Sequence, residues 1–189
     1  MSLTPAQLER YARHIMLREL GGVGQQKLLK ARVALVGLGA LGGPAAMYLA
    51  AAGAGHLTLI DDDVVSLSNL QRQVLFATGD VGMPKTEAGR RELLAMNPDI
   101  RITAKPARLT AANGRDLLQD ADIVVDGSDS FTTRFDVNQA CYDLGLPLVS
   151  GAASLMSSAC HAAPRSMAMT PEARAASRPW PALALMPRA

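Results

Sequence analysis

Residues 33–42 read Val33-Ala34-Leu35-Val36-Gly37-Leu38-Gly39-Ala40-Leu41-Gly42. An apolar strand runs straight into a G-x-G-x-x-G turn, and a small-residue helix follows. That order builds a phosphate cradle. Gly37 permits the tight turn, and Gly39 lets backbone approach a phosphate past Ala40. Gly42 lets the next helix pack on the strand with its N-terminus facing the anion. A glycine-rich structural turn would read the same way, so context decides. The motif here follows a strand, opens a helix, and has an acid about 20 residues on. That acid is Asp61, placed where a carboxylate accepts hydrogen bonds from ribose hydroxyls.

Outward from this turn, strands and helices alternate. Strands are predicted at 32–36, 56–61, 100–104, 121–126 and 147–151. Helices are predicted at 40–52, 85–96, 111–119 and 132–144. The repeat predicts an α/β fold, a doubly wound, mostly parallel Rossmann-like sheet with its ligand crevice at the carboxyl ends of the strands. An N-terminal helical segment precedes it. Thr4 and Pro5 give start signals for one helix over 4–20, with Leu8, Tyr11, Ile15 and Leu20 near helical spacing. Gly21-Gly22 breaks that helix, and a short second helix is expected at 25–30. Residues 62–83 carry no long helix, and a connection beyond about 12–15 residues is often functional.

Composition narrows the class. The chain has 189 residues, 49% of them apolar, which is enough for one domain with a core. No apolar run reaches the ~18 residues of a membrane span, and no signal-peptide pattern opens the chain. The two cysteines, Cys141 and Cys160, form no C-x-x-C pair. That points away from zinc or a disulfide framework and toward a reducing cytoplasm. Residues 1–153 hold 15 basic and 16 acidic side chains, so their net charge is −1. Such a balance offers no cationic face for nucleic acid. Residues 154–189 hold four Arg against Glu172 and lack Gly and Lys. The segment reads as a disordered or aberrant tail after an incomplete Rossmann-like nucleotide-binding domain at 1–153.

The polar constellations cluster behind the turn. Ser68-Asn69-Leu70-Gln71-Arg72-Gln73 supplies hydroxyl, amide and guanidinium groups, and Arg pairs bidentately with phosphate oxygens. Lys85, at a helix start after Pro84, is a point cation suited to phosphate, although a lone helix lysine is commonly only solvated. Asp126-Gly127-Ser128-Asp129-Ser130 ends the fourth strand. Asp129 there can hold Mg²⁺ together with substrate phosphates, or the run can simply cap the following helix. Asp63 reads as a structural loop residue, His14 and His56 as structural, and Cys141 as packed. Arg13, on the first helix, ranks low on its own chemistry.

Together these residues resemble the ThiF/MoeB/HesA family, bacterial relatives of ubiquitin-activating enzymes. The matching pieces are Arg10 to Ile15, Gly21 to Leu29, the glycine turn, Leu59 to Val64 and Ser66 to Gln73. Pro84-Lys85, Asn97-Pro98, Asp126 to Asp129 and Pro147 to Ala153 continue the match, which covers roughly residues 8–153. The resemblance implies ATP-dependent adenylation of the C-terminal glycine carboxylate of a ubiquitin-like sulfur-carrier protein, in thiamine or molybdenum cofactor synthesis. It implies that Gly37, Gly39, Ala40, Gly42, Asp61, Ser68, Asn69, Leu70, Gln71, Arg72, Lys85, Asp129 and Ser130 bind ATP, with Arg72, Lys85 and Asp129 catalytic. Asp129 would hold Mg²⁺. Arg13 would reach the phosphates of the neighbouring protomer in a homodimer.

Departures from the family pattern carry their own expectations. Ala40 and Ser130 replace a common Gly and Asn. The family's zinc pairs are not present in this chain, and the ending reads as a truncated or frameshifted one, with ATP contacts encoded and carrier adenylation weak or absent. Two other readings stand beside this one: a nicotinamide-dependent oxidoreductase using the same turn and acid, and a non-catalytic nucleotide-binding remnant. The Ser68–Gln73 block and Lys85 weigh against the oxidoreductase, which does not need them. The frameshift expectation predicts that another reading frame downstream of codon 153 encodes strand-like sequence with C-x-x-C pairs; two frames without them would refute it.

Overall fold

The computed structural model describes residues 3–153 and 158–162. Five strands pair in parallel: β1 (Arg32–Val36), β2 (His56–Ile60), β3 (Arg101–Lys105), β4 (Ile123–Asp126) and β5 (Leu148–Ala153). A sixth, β6 (Ser158–Ala162), joins β5 antiparallel, giving the order β3-β2-β1-β4-β5-β6. The expected doubly wound α/β sheet is therefore present. β6 falls inside the segment that the sequence left without strands. It extends the sheet by pairing backbone to backbone, which needs no side-chain alternation to announce it. The rest of the expected tail, 154–157 and 163–189, lies outside the described residues.

The chain reverses direction across the sheet at β1, whose neighbours are β2 and β4. Val36 stands level with Ile60 and with Asp126, so three strands end in one plane. Successive residues of each strand face opposite layers. Val33, Leu35, Leu57, Leu59 and Ile102 pack with Ala46 and Ala50 of α4 (Gly42–Ala52) and Ala88 and Leu93 of α5 (Lys85–Met96). Ala34, Val36, Ile60 and Val124 pack with Leu118 of α6 (Gly114–Leu118) and Val137, Ala140 and Cys141 of α7 (Phe131–Leu144). Each fully buried large aliphatic side chain contributes about 1.5–3 kcal/mol, and both faces of the parallel sheet are covered as such sheets require. Cys141 is packed as expected, and burial pushes its thiol up to about 12. Among the described residues no helix is long and apolar enough to cross a membrane.

The single N-terminal helix expected over 4–20 is instead α1 (Pro5–Arg10) and α2 (Ala12–Ile15), followed by α3 (Gly21–Leu28). Thr4 caps α1, in a capping box with Gln7. The break falls at Tyr11, which is 2% exposed. Its ring lies against Gly53, and its hydroxyl accepts a 2.9 Å bond from Asn97 Nδ2. This tertiary anchor wins over helical periodicity. α3 starts at the glycine pair, earlier than expected, and buried Gln25 within it ties the helix to α4 through the Ala52 carbonyl. His14 bonds the same Gln25, and His56 bonds Thr103, so both histidines are structural.

The long 62–83 connection is held rather than loose. Val65 N–H donates to the Met83 carbonyl and Gly82 N–H to the Val65 carbonyl, so its two ends meet. Val65, Leu75 and Phe76 insert into the core on the α4–α5 side. Asp80, 1% exposed, accepts from Ala77 N–H at 2.8 Å and pairs with Arg91 of α5. The Ala77 N–H, then Arg91, hold its carboxyl below the ordinary value. A depressed carboxylate adds stability that is complete above the unfolded value and is lost as pH falls through the folded one. We predict that acid melts of the wild type lose stability below the ordinary aspartate value of 3.8. Asp80→Asn should start less stable at pH 7 and show a flatter acid limb. Parallel acid limbs in the two proteins would refute this.

Candidate functional site

At the carboxyl ends of β1, β2 and β4 lies an open cavity of about 720 Å³, within the size range of small-molecule sites. Its floor is the glycine turn. Gly37 sits at φ +82°, and its N–H donates to the Ile60 carbonyl at 2.9 Å. From the other side Gly127 N–H donates to the Val36 carbonyl at 2.9 Å, which lays the 127–128 backbone directly on the turn. A Cβ on Gly37 would stand 3.0 Å from the Ser128 backbone, and one on Gly42 only 1.8 Å from the Gly37 carbonyl. Gly39 instead faces open space, with only the Gln73 amide 3.9 Å from where a Cβ would stand. Gly37 and Gly42 are thus held to glycine by close backbone, the latter by the turn itself rather than by the strand, and Gly39 leaves its side of the turn open. α4 begins at Gly42, two residues later than expected, which leaves Ala40 and Leu41 in the turn.

Asp61 is engaged by the fold itself. One carboxylate oxygen accepts from Leu38 N–H at 2.6 Å and the other from Asp63 N–H at 2.9 Å. The side chain thus fastens the glycine turn to the end of β2, and each oxygen keeps a lone pair for a further donor. Burial raises its carboxyl above the usual range, opposed by those two N–H bonds and by Lys85. A raised carboxyl binds its proton more tightly when folded. That contribution is complete below the unfolded value and is lost as pH rises through the folded one.

The cations sit where the sequence implied, with one difference. Lys85, 3% exposed, heads α5 but is not a free surface charge. Its Nζ donates to Asp63 at 2.7 Å, and its N–H donates to the Asp63 carbonyl at 3.0 Å. An ammonium has three donors, so two remain for a phosphate. Arg72 is exposed at the rim and bonds Asn69 Oδ1 at 3.2 Å. Asp129 is exposed on the opposite wall. Ser130, not Asp129, caps α7 through Thr133 N–H, so the capping alternative does not use the Asp129 carboxylate.

Gly37, Gly39, Ala40, Asp61, Asn69, Arg72, Lys85, Asp129 and Ser130 all line this one cavity. Gly42 lies beneath the turn. Ser68 is exposed and bonds Ser66, Gln71 is exposed, and Leu70 packs on the core, so these three support the loop rather than line the cavity. Arg13 is exposed on α2, away from it. Sequence reasoning did not single out Gln73 or Arg134. Gln73 lines the cavity 5% exposed, with its Oε1 unpaired among the described residues. Its place in the Ser68–Gln73 block was the available signal. Arg134 also lines the cavity, and a helix arginine carried no signal at all.

Four basic side chains line the cavity (Arg72, Lys85, Arg108, Arg134), against four acidic ones (Asp61, Asp62, Asp63, Asp129). Such a balance admits a polyphosphate best together with a divalent cation. Asp61, Asp62 and Asp63 bring carboxylate oxygens within 4.8 Å of one another, whereas Asp129 stands apart from that group. A lone carboxylate still suits Mg²⁺, which keeps its waters and binds through one or two carboxylates plus phosphates.

The comparisons with known proteins converge on one family. The sequence model of the ThiF family matches residues 11–178. The sulfur carrier protein ThiS adenylyltransferase of Escherichia coli K12 is 49% identical over 144 residues, covering 76% of this chain and 57% of that protein. The molybdopterin-synthase adenylyltransferase of the same organism is 46% identical over 154 residues, covering 82% and 62%. The chain thus spans little more than half the length of these relatives. A solved structure of the E. coli tRNA N6-threonylcarbamoyladenosine dehydratase TcdA in complex with ATP is similar, with a TM-score of 0.76 and 29% identity, over 81% of this chain and 63% of that one.

The geometry at Asp61 predicts a ribose preference. The wild type should bind ATP at least tenfold more tightly than 2′,3′-dideoxy-ATP by fluorescence competition, and Asp61→Ala should lose that preference. Equal preferences in the two proteins would show that Asp61 only braces the turn.

Proposed function

The chain belongs to the ThiF family, and from that premise we propose that it is an ATP-dependent adenylyltransferase. Its substrate would be the C-terminal glycine carboxylate of a ubiquitin-like sulfur carrier, in thiamine or molybdenum cofactor synthesis. The observation that carries the reading is the convergence of the glycine turn, Arg72, Lys85 and Asp129 on one cavity. An oxidoreductase built on the same turn needs only the turn and Asp61.

In this reading Asp61 accepts from ribose hydroxyls, and the turn backbone with Arg72 and Lys85 receives the phosphates. The reaction brings a carboxylate oxygen onto the α-phosphorus and expels pyrophosphate, leaving an acyl-adenylate. Both reactants are anions, so the obstacle is mutual repulsion and placement. Two fixed cations at a preformed cradle reduce that repulsion without reorganising during the reaction. Asp129 would hold Mg²⁺, which supplies further neutralisation of phosphate charge when bound. Arg13 would serve the cavity of a second copy in a homodimer.

The test is exchange of labelled pyrophosphate into ATP, with and without a carrier ending in Gly-Gly. Exchange above background should require the carrier and fall about 100-fold in Arg72→Ala, the scale for losing one preorganised donor at developing charge. Binding of NADH more tightly than Mg-ATP would overturn the reading.

A further inference from the structure

Behind Asp129 lies a closed polar network that the reaction chemistry does not use. Asp126, 1% exposed at the end of β4, accepts three bonds. Ser128 N–H donates to its Oδ1 at 2.9 Å, Ser128 Oγ donates to the same oxygen at 2.7 Å, and Ser150 Oγ donates to Oδ2 at 2.9 Å. Arg134 closes the ring from the first turn of α7. One of its terminal nitrogens donates to the Ser128 carbonyl and, at 2.7 Å, to the Gly151 carbonyl. The other lies 3.5 Å from Ser150 Oγ. The guanidinium therefore joins the loop after β4 to the carboxyl end of β5.

Ser128 is consequently fixed on every side. Its N–H and hydroxyl go to Asp126, its carbonyl goes to Arg134, and its backbone rests on Gly37. The residue after it is Asp129, and the one after that, Ser130, is fixed as the α7 cap. Asp129 stands between two anchored neighbours while its own carboxylate remains unpaired among the described residues. We propose that Arg134 is a positioning residue: it holds the Ser128–Ser130 backbone so that Asp129 faces the phosphate end of the cavity, and it makes that loop one unit with the end of β5. The inference rests on the nucleotide reading above, and it assigns Arg134 a part distinct from the phosphate-binding cations. The second terminal nitrogen reaches toward Ser150 while the first holds both carbonyls, and this fixed planar span over three groups is what the single ammonium of a lysine would lack.

The experiment uses the whole chain, with Arg134→Lys and Arg134→Ala. Hydrogen exchange at residues 127–131 and the Mg²⁺ concentration for half-maximal binding of a fluorescent ATP analogue are measured. Arg134→Lys keeps the charge and should fold. It should speed exchange at 127–131 at least tenfold, leave β1 unchanged, and raise the Mg²⁺ half-point about tenfold. Binding of metal-free AMP should stay within twofold. Two results would overturn the inference with the nucleotide reading intact: unchanged exchange and Mg²⁺ half-point in Arg134→Lys, or an equal loss of AMP and Mg-ATP binding, which marks a direct phosphate contact. A wild type that binds neither nucleotide removes the premise and the inference together. If Arg134→Ala does not fold, Ser150→Ala, which cuts the same network from the β5 side, should reproduce a smaller shift of the Mg²⁺ half-point.

Discussion

The structure depends on a backbone-to-backbone contact between two loops. The turn after β1 and the loop after β4 lie against each other with no side chain between them, Gly37 under Ser128 and Gly42 beside Gly127. The contact exists because Val36, Ile60 and Asp126 share one level in the sheet. Gly127 N–H bonds the Val36 carbonyl from the loop after β4, while Gly37 N–H to Ile60 and Leu38 N–H to the Asp61 carboxylate tie the turn to the end of β2. A side chain at Gly42 would press on the Gly37 carbonyl and part the loops. The cavity is the space this contact leaves open above it.

Much of this was legible in the sequence, for reasons that can be named. The turn declared itself because it combines strand pattern, glycine spacing and a distant acid, three signals that must agree. The alternation of elements followed from the period of apolar residues, and strand ends came out within one or two positions. Tyr11 shows the limit. Its spacing belongs to a helix, but burial against Gly53 and Asn97 ends the helix there, and those partners lie over forty residues away. β6 shows a second limit, since antiparallel pairing to β5 is a backbone property.

The site residues divide along similar lines. Arg72, Lys85 and Asp129 could be named because charged residues at strand ends and helix starts invite a chemical reading. Leu70 and Gln71 were drawn in with their neighbours, yet the loop turns them to the core and to solvent. Arg134 stayed hidden, and Gln73 was named only as the end of a polar block. Their significance lies in which carbonyls, amides or open space they meet, and single-chain spacing holds no record of that. The same holds for Asp61, whose grip on two backbone amides is visible only once the turn is folded around it.

The Lys85–Asp63 pair has a last consequence. An ammonium buried alone would give up its hydration with nothing to replace it. Here the lysine is dehydrated once, as the chain folds, beside a carboxylate that is itself two-thirds open to solvent at 66% side-chain exposure. Asp63 thus balances the buried charge before any ligand arrives, and it occupies one of the ammonium's three donors, leaving two to face the cavity.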